Sequence, residues 1–246
     1  MYLVANWKMY LDFDESIELA ECIAQFSISK NTALIVCPSD IALADVNRLL
    51  PKSVGRCAQD GYWIEKGAYT GAVSMEMLKA VGCEYVIVGH SERRSQFHET
   101  NEQVAKKMLA AWEWGLKPIL CVGETREELE TGKRSHVLRE QLGSIFVDHK
   151  KEVKECFVSY EPVWAISRGG VGQHCEPRDL AVVMQDIVGW VCECVPEVDV
   201  HFLYGGSVTP ENVCSYMTVD HVEGVLVGAA STYKEKLQAL LEALAQ

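Results

Sequence analysis

A glutamate that directly follows a short apolar segment is the first candidate for chemistry in this sequence. The segment 156–160 has the β-branched and aromatic residues of a buried strand, and Glu161 and Pro162 come next. Because proline cannot continue a central strand, we expect the strand to end here with the carboxylate at its carboxyl end. A loop rich in small residues over 167–172 follows, which is typical of a movable lid. The segment predicts a catalytic base under a lid; a strand-capping glutamate in a solvated turn is the alternative.

Polar side chains and glycine-rich loops also follow other apolar runs of the chain. Asn6 and Lys8 come after the first run, His90 and Glu92 after the fourth, and loops over 205–208 and 228–231 after the last two. Taken singly, the lysine could be a solvated charge and the histidine a structural residue. Together, a carboxylate, an imidazole, an ammonium group and an amide can transfer protons and stabilise an oxyanion. The glycine-rich loops offer backbone N–H groups to a phosphate, so the set predicts proton transfer on a phosphorylated substrate.

The elements that must position these groups alternate regularly along the chain. We expect strands at 2–5, 33–37, 54–58, 85–88, 117–122, 156–160, 201–204 and 224–227. We expect helices at 16–26, 41–50, 74–81, 99–114, 126–129, 135–150, 177–195, 233–244 and, after the seventh strand, one that begins with Thr209 as N-cap. Continuous apolar strands are typical of parallel sheets covered on both faces, and no linker divides residues 1–246. The pattern predicts a single (β/α)8 TIM barrel, with its chemistry on the loops that follow the strands.

Composition narrows the classes of partner and compartment. Lys and Arg total 23 against 35 Asp and Glu, a net charge of −12, which argues against a nucleic-acid binder. An anionic substrate must therefore be held by local groups rather than by the overall field. Ten scattered cysteines without a Cys-x-x-Cys pair favour a reducing compartment. With no leader pattern and no apolar run of about 18 residues, we expect a cytoplasmic protein without a membrane contact.

We expect neither a metal nor a cofactor. His90 has no second histidine or carboxylate at ligand spacing on a facing strand end. The pair Gly132-Lys133 is no phosphate-binding P-loop, because the upstream glycine and the following Ser or Thr are missing.

Seven stretches, each at a predicted strand end or loop, carry a resemblance to a known family. They are Asn6-Trp7-Lys8-Met9 and the segments 67–71, 89–94, 121–124, 160–166, 204–208 and 226–228. The sequence resembles the triosephosphate isomerase family over essentially its whole length, from Tyr2 to about Leu244. The resemblance implies interconversion of dihydroxyacetone phosphate and glyceraldehyde 3-phosphate, a small phosphorylated triose, through an enediol(ate).

The resemblance also implies catalytic roles. Glu161 would move the proton, desolvated by a lid that bears Trp164 and Ile166. His90 would polarise the carbonyl as a neutral imidazole beside a helical turn that starts at the next residue. Lys8 would supply positive charge, Asn6 an N–H donor, and Glu92 would hold the lysine in place.

The implied phosphate-binding residues lie in the lid and in the last two loops: Ser167, Gly205, Gly206, Ser207, Gly228 and Ala229. Cys121 would be a packed thiol near the site. The loop around Thr70 resembles the arm that this family inserts into its partner, so we expect a homodimer.

The chain departs from the family pattern at several of these places. Ser167-Arg168 stands where the lid usually has Gly-Thr, and Ala229 replaces the second glycine of the eighth loop. Tyr10 and Asp60 each stand where asparagine is usual near the dimer contact. We expect altered lid closure with retained chemistry.

Three other functions stay open on the sequence. An aldolase would use Lys8 as a Schiff base, and a sugar-phosphate epimerase would need a metal. A barrel kept only for binding would have lost Lys8, His90 or Glu161, and none of these is lost.

Overall fold

The computed structural model describes residues 1–166 and 174–245, and its centre is a closed parallel barrel of eight strands in chain order. The strands are β1 (Tyr2–Asn6), β2 (Ala33–Cys37), β3 (Gly55–Ala58), β4 (Tyr85–Val88), β5 (Lys117–Val122), β6 (Cys156–Tyr160), β7 (Val200–Tyr204) and β8 (Gly224–Val227). Tyr2 aligns with Ala33 on one side and with Gly224 on the other, which closes the ring. The predicted (β/α)8 TIM barrel is confirmed.

Helices connect successive strands and cover the outside of the barrel. They are α1 (Phe13–Ile23), α2 (Leu43–Leu49), α3 (Met75–Ala80), α4 (Ser91–Gln96), α5 (Asn101–Glu113), α6 (Arg126–Glu130), α7 (Arg134–Phe146), α8 (Pro177–Cys194), α9 (Val213–Met217) and α10 (Lys234–Ala243). Within the described ranges, none is both long and apolar enough to cross a membrane.

The two largest errors among the predicted helix starts arise from local capping. α1 begins at Phe13 rather than Ser16, since Asp12 and Glu15 form a capping box that satisfies the first N–H groups. α9 begins at Val213 rather than just after Thr209. The N–H of Thr209 instead donates to Asn212 Oδ1 at 2.8 Å, which makes a turn before the helix.

The strands are apolar on both faces because each face packs against a different core. Val4, Ile35, Ile87, Phe157 and their neighbours fill the barrel interior. The alternate residues of the same strands pack outward against the helices in a larger cluster. Since the interior is filled, a ligand has room only above the strand ends, where the loops begin.

Candidate active site

Lys8 leaves the end of β1 in an unusual backbone conformation. Its φ is 49°, in the left-handed region that residues other than glycine rarely adopt. The Lys8 N–H donates to Asn6 Oδ1 at 3.0 Å, and Gln59 Nε2 donates to the Lys8 carbonyl at 2.8 Å. These bonds hold the strained backbone and direct the ammonium group inward, where Nζ lies 2.9 Å from Glu92 Oε1.

His90 is oriented by the helix that follows it. It is the N-cap residue of α4, and its Nδ1 accepts a hydrogen bond from the Glu92 N–H at 3.2 Å. A backbone N–H can only donate, so Nδ1 serves as the acceptor and the ring N–H is assigned to Nε2. Nε2 lies 3.4 Å from Glu161 Oε2. The helix start therefore selects the tautomer that presents a donor at the centre of the site.

Glu161 is a buried carboxylate with an unused oxygen. Glu161 is 1% exposed, and its Oε1 accepts a hydrogen bond from Ser159 Oγ at 3.3 Å. Oε2 has no hydrogen-bond partner among residues 1–166 and 174–245. The backbone of Gly205 packs so closely that a Cβ there would lie 2.9 Å from Oε1. A buried, unpaired carboxylate oxygen costs free energy, and such groups are concentrated at functional sites.

The predicted phosphate-binding loops meet Lys8 and His90 in one cavity. This substrate cavity has a volume of about 520 Å³ and is also lined by Ile166 and by residues of the loops after β7 and β8: Gly205, Gly206, Ser207, Gly228 and Ala229. Its size suits a small ligand. Glu161 lines a neighbouring cavity of about 250 Å³ instead, together with Ser91, Arg94 and Cys121. The Glu161 carboxylate therefore lies beside the substrate cavity, and His90, which lines that cavity, is its contact with it.

The donors of the phosphate loops differ in their present partners. The N–H and Oγ of Ser207 donate to the Ala165 carbonyl at 3.0 and 2.7 Å. The N–H groups of Gly206 and Ala229 have no backbone acceptor in the described part of the chain. Ala229 is absent from the positive-φ residues, so its side chain adds no backbone strain. Ser167 lies outside the described residues.

Comparison with known proteins agrees with this geometry. The family model for triosephosphate isomerase matches residues 1–244. The triosephosphate isomerase of Geotalea uraniireducens is 39% identical over 93% of this chain and 92% of its own. Those of Caldanaerobacter subterraneus and Aquifex aeolicus are 37% and 36% identical, over 95% and 97% of each chain. This chain belongs to the triosephosphate isomerase family.

The site of this triosephosphate isomerase family member includes a carboxylate to which sequence reasoning gave no role. Glu124 is completely buried and accepts hydrogen bonds from Trp164 Nε1 at 2.9 Å and from the Tyr160 hydroxyl at 3.1 Å. Burial raises the pKa of Glu124, although the bonds from Trp164 and Tyr160 oppose the shift. The carboxylate anchors Trp164 in the segment that follows β6. The position of Glu124, two residues after the end of β5, was the signal in the sequence that could have indicated its role.

Cys121 lies where the resemblance placed it, at the end of the barrel interior beside Glu161. Burial raises the pKa of this thiol well above its usual value, and the negative charge of Glu161 raises it further. The thiol therefore stays protonated and unreactive at neutral pH. It is a packing partner of the carboxylate.

Asp60, one of the departures from the triosephosphate isomerase pattern, belongs to a partly buried charge cluster. Its carboxylate lies 2.6 Å from Lys107 Nζ and 2.9 Å from Arg93 Nε, and Glu99 contacts the same two cations. Burial raises the pKa of Asp60, while Lys107 lowers it. Across the described residues, no group of three or more His, Cys, Asp or Glu side chains could hold a metal ion.

Proposed function

We propose that this protein interconverts dihydroxyacetone phosphate and D-glyceraldehyde 3-phosphate with Glu161 as the base. The observation that carries the proposal is a chain of contacts at the edge of the substrate cavity: Lys8 binds the Glu92 carboxylate, the Glu92 N–H binds His90, and His90 lies against Glu161. It joins a fixed ammonium group, a neutral imidazole donor and an unpaired carboxylate oxygen. This is the set that an enediolate intermediate requires.

The reaction is a proton transfer between neighbouring carbons. Glu161 Oε2 removes a proton from the carbon next to the carbonyl, and the electron pair moves onto the carbonyl oxygen. His90 Nε2–H donates to that oxygen, and Lys8 stabilises the negative charge as it forms. Return of the proton to the other carbon completes the exchange, so no cofactor is needed. Asn6 orients Lys8 through its Oδ1 and offers its amide as a further donor.

The substrate phosphate binds at the opposite wall of the cavity. The N–H groups of Gly206 and Ala229 point to this role because the described residues provide no backbone acceptor for them. Gly205 and Gly228 allow close approach, since a Cβ at 228 would lie 3.2 Å from Lys8 Cε. Ser207 would exchange the Ala165 carbonyl for a phosphate oxygen, which couples phosphate binding to the lid. Ser167 is the lid residue proposed to add its N–H.

We propose a homodimer that uses the loop around Thr70, in the cytoplasm. Residues 64–72 are all exposed, and Gly71, Ala72 and Phe97 border a cavity of about 260 Å³ beside the Asp60 charge cluster. Phe97 itself is 66% exposed. A protruding loop with exposed aromatic residues near a cavity fits insertion into a second copy. A monomeric mass by light scattering at micromolar concentration, with full activity, would contradict the dimer.

The first test is a coupled assay that follows glyceraldehyde 3-phosphate as it becomes dihydroxyacetone phosphate. We expect rapid turnover, and we expect Glu161→Gln to lose about 10²–10⁴-fold in kcat because the base is gone. Glu21→Gln, at an exposed position of α1 remote from the cavity, is the matched control and should leave kcat unchanged. A wild-type protein without turnover would contradict the proposal.

Two further experiments distinguish the isomerase from an aldolase and from a metal-dependent epimerase. Borohydride should trap no adduct on Lys8, whereas an aldolase would be trapped with substrate bound. Chelators should leave turnover unchanged, whereas a metal-dependent epimerase would lose it. Solvent deuterium should enter the product at the carbon that receives the proton.

A further inference from the structure

The outer rim of the substrate cavity carries a cation outside the proposed catalytic set. Lys236 lines the cavity together with Tyr10 and Tyr233, on the side formed by the loops after β7 and β8. Its Nζ lies 5.0 Å from the centre of the Tyr233 ring. This cation–π contact gives an otherwise flexible side chain a preferred position above the cavity. The loops after β7 and β8, here called the phosphate wall, therefore line the same cavity as Lys236.

The place of Lys236 in its helix is electrostatically unfavourable. It is the third residue of α10, and Tyr233 provides no side-chain cap for the first turn. Positive charge at a helix N-terminus opposes the helix dipole, so Lys236 does not stabilise α10. Among the described residues, no carboxylate lies within ion-pair distance of its ammonium group. An anion bound in the cavity would relieve this unfavourable arrangement.

The surrounding charges make a local cation valuable. The whole chain has a net charge of −12, which repels a phosphate dianion, and Lys8 already contacts Glu92. Glu211 stands on the same side: its pKa is lowered, first by a hydrogen bond from Thr209 and in addition by the charge of Lys236. The positive charge of Lys236 therefore offsets the negative charge of Glu211 near the phosphate wall.

We propose that Lys236 is a positioning residue that attracts the substrate phosphate to the loops after β7 and β8 and holds it there. The proposal rests on the proposed function, because it assigns a second cation to the same substrate. Lys236 touches no reacting atom. Lys236 increases the affinity for the substrate phosphate, and the ring of Tyr233 holds the lysine side chain in position.

The chain offers a matched control on the same helix. Lys234 is also exposed in the first turn of α10, but it lines a different surface cavity with Cys22 and Phe26 of the α1 side. Residues two apart on a helix point to different sides. Lys234→Gln and Lys236→Gln change the net charge equally, so they separate a local effect from a global one.

Two measurements test the proposal. The first is kcat and KM in the coupled assay at low and high salt. We expect Lys236→Gln to lower kcat/KM by roughly two- to five-fold, through KM, with kcat unchanged. The loss should shrink in about 0.5 M salt because screening removes the attraction. Lys236→Arg should keep the wild-type value, and Lys234→Gln should change nothing.

The second measurement is the binding of inorganic phosphate, followed by ³¹P NMR, and it does not depend on turnover. Lys236→Gln should weaken binding by a similar factor, and Lys234→Gln should not. Equal effects of the two glutamine variants, or no effect of either, would overturn the role of Lys236. Active wild type with unchanged Lys236→Gln would refute only this inference, whereas inactive wild type would refute the proposed function.

Discussion

A histidine–glutamate pair stands at each end of the barrel, and the two pairs differ in how fully their atoms are satisfied. At the carboxyl end, His90 Nε2 lies 3.4 Å from Glu161 Oε2, and that oxygen has no hydrogen-bond partner in the described residues. At the amino end, His201 Nδ1 lies 2.8 Å from Glu223 Oε2. Glu223 Oε1 also accepts from a backbone N–H at 3.2 Å, so both oxygens are used.

The surroundings of the two rings differ in the same way. His201 packs against the rings of Tyr2 and Phe157, with centroids 5.1 and 4.7 Å away. His90 borders an open cavity. The comparison shows that residue type does not identify a catalytic pair. His90 and Glu161 are the candidate pair because an unpaired polar atom beside a cavity is free to change partners during a reaction.

The largest expected difference concerns the two histidines. His90→Gln should lower kcat by about 10²–10³-fold, because the donor to the developing oxyanion is lost or misplaced. His201→Gln should leave kcat within about two-fold and lower the free energy of unfolding by about 1–2 kcal/mol through lost hydrogen bonding and ring packing. Turnover and urea unfolding measure both. A large loss of kcat in His201→Gln would remove the distinction between the pairs.

Shortening each glutamate by one methylene group sharpens the comparison. Glu161→Asp should lower kcat by about 10²-fold, because a base displaced by about 1 Å no longer reaches its proton. Glu223→Asp should leave kcat unchanged and cost about 1 kcal/mol of stability. Equal kcat values for the two variants would contradict the assignment of Glu161 as base.

A second buried carboxylate at the carboxyl end of the barrel, Glu124, should behave as a structural group. Its raised pKa means that the folded protein keeps this proton to a higher pH than the unfolded chain does. The contribution of Glu124 to stability is therefore greatest at pH values below the ordinary carboxyl pKa. It falls as pH rises through the raised value, by about 1.4 kcal/mol for each unit of pKa shift.

The variant Glu124→Gln isolates this effect. Its free energy of unfolding, relative to that of wild type, should rise between about pH 4.5 and neutrality, because glutamine does not ionise. Urea unfolding of both proteins over this range gives the slope. A falling difference would show that Trp164 and Tyr160 favour the ionised form more than burial opposes it.

The smallest expected effect is at Ala229. Ala229→Gly should change the affinity for phosphate by less than about two-fold, because the alanine already has a negative φ and keeps its N–H. Titration with inorganic phosphate measures it. A large gain in affinity would mean that this departure from the family pattern had weakened the phosphate wall.

Much of the fold and part of the site were predictable from sequence. The strands at 33–37, 85–88, 117–122 and 224–227 end where the apolar runs end. Both faces of a parallel strand are buried, so an uninterrupted apolar run marks its extent. Helix starts were harder to predict, since local hydrogen bonds such as that from the Glu15 N–H to Asp12 Oδ1 decide them. Glu124 was missed as an anchor because its partner Trp164 lies 40 residues away.

By itself, the sequence determined the order of the elements and which polar residues stand at strand ends, since apolar periodicity and proline or glycine breaks are local properties. Only the tertiary structure decided which of those residues touch. Lys8 meets Glu92 across 84 residues because barrel closure and a positive φ direct its side chain inward. Which nitrogen of His90 carries the proton, and which oxygen of Glu161 stays unpaired, depend on neighbours that closure of the barrel brings together.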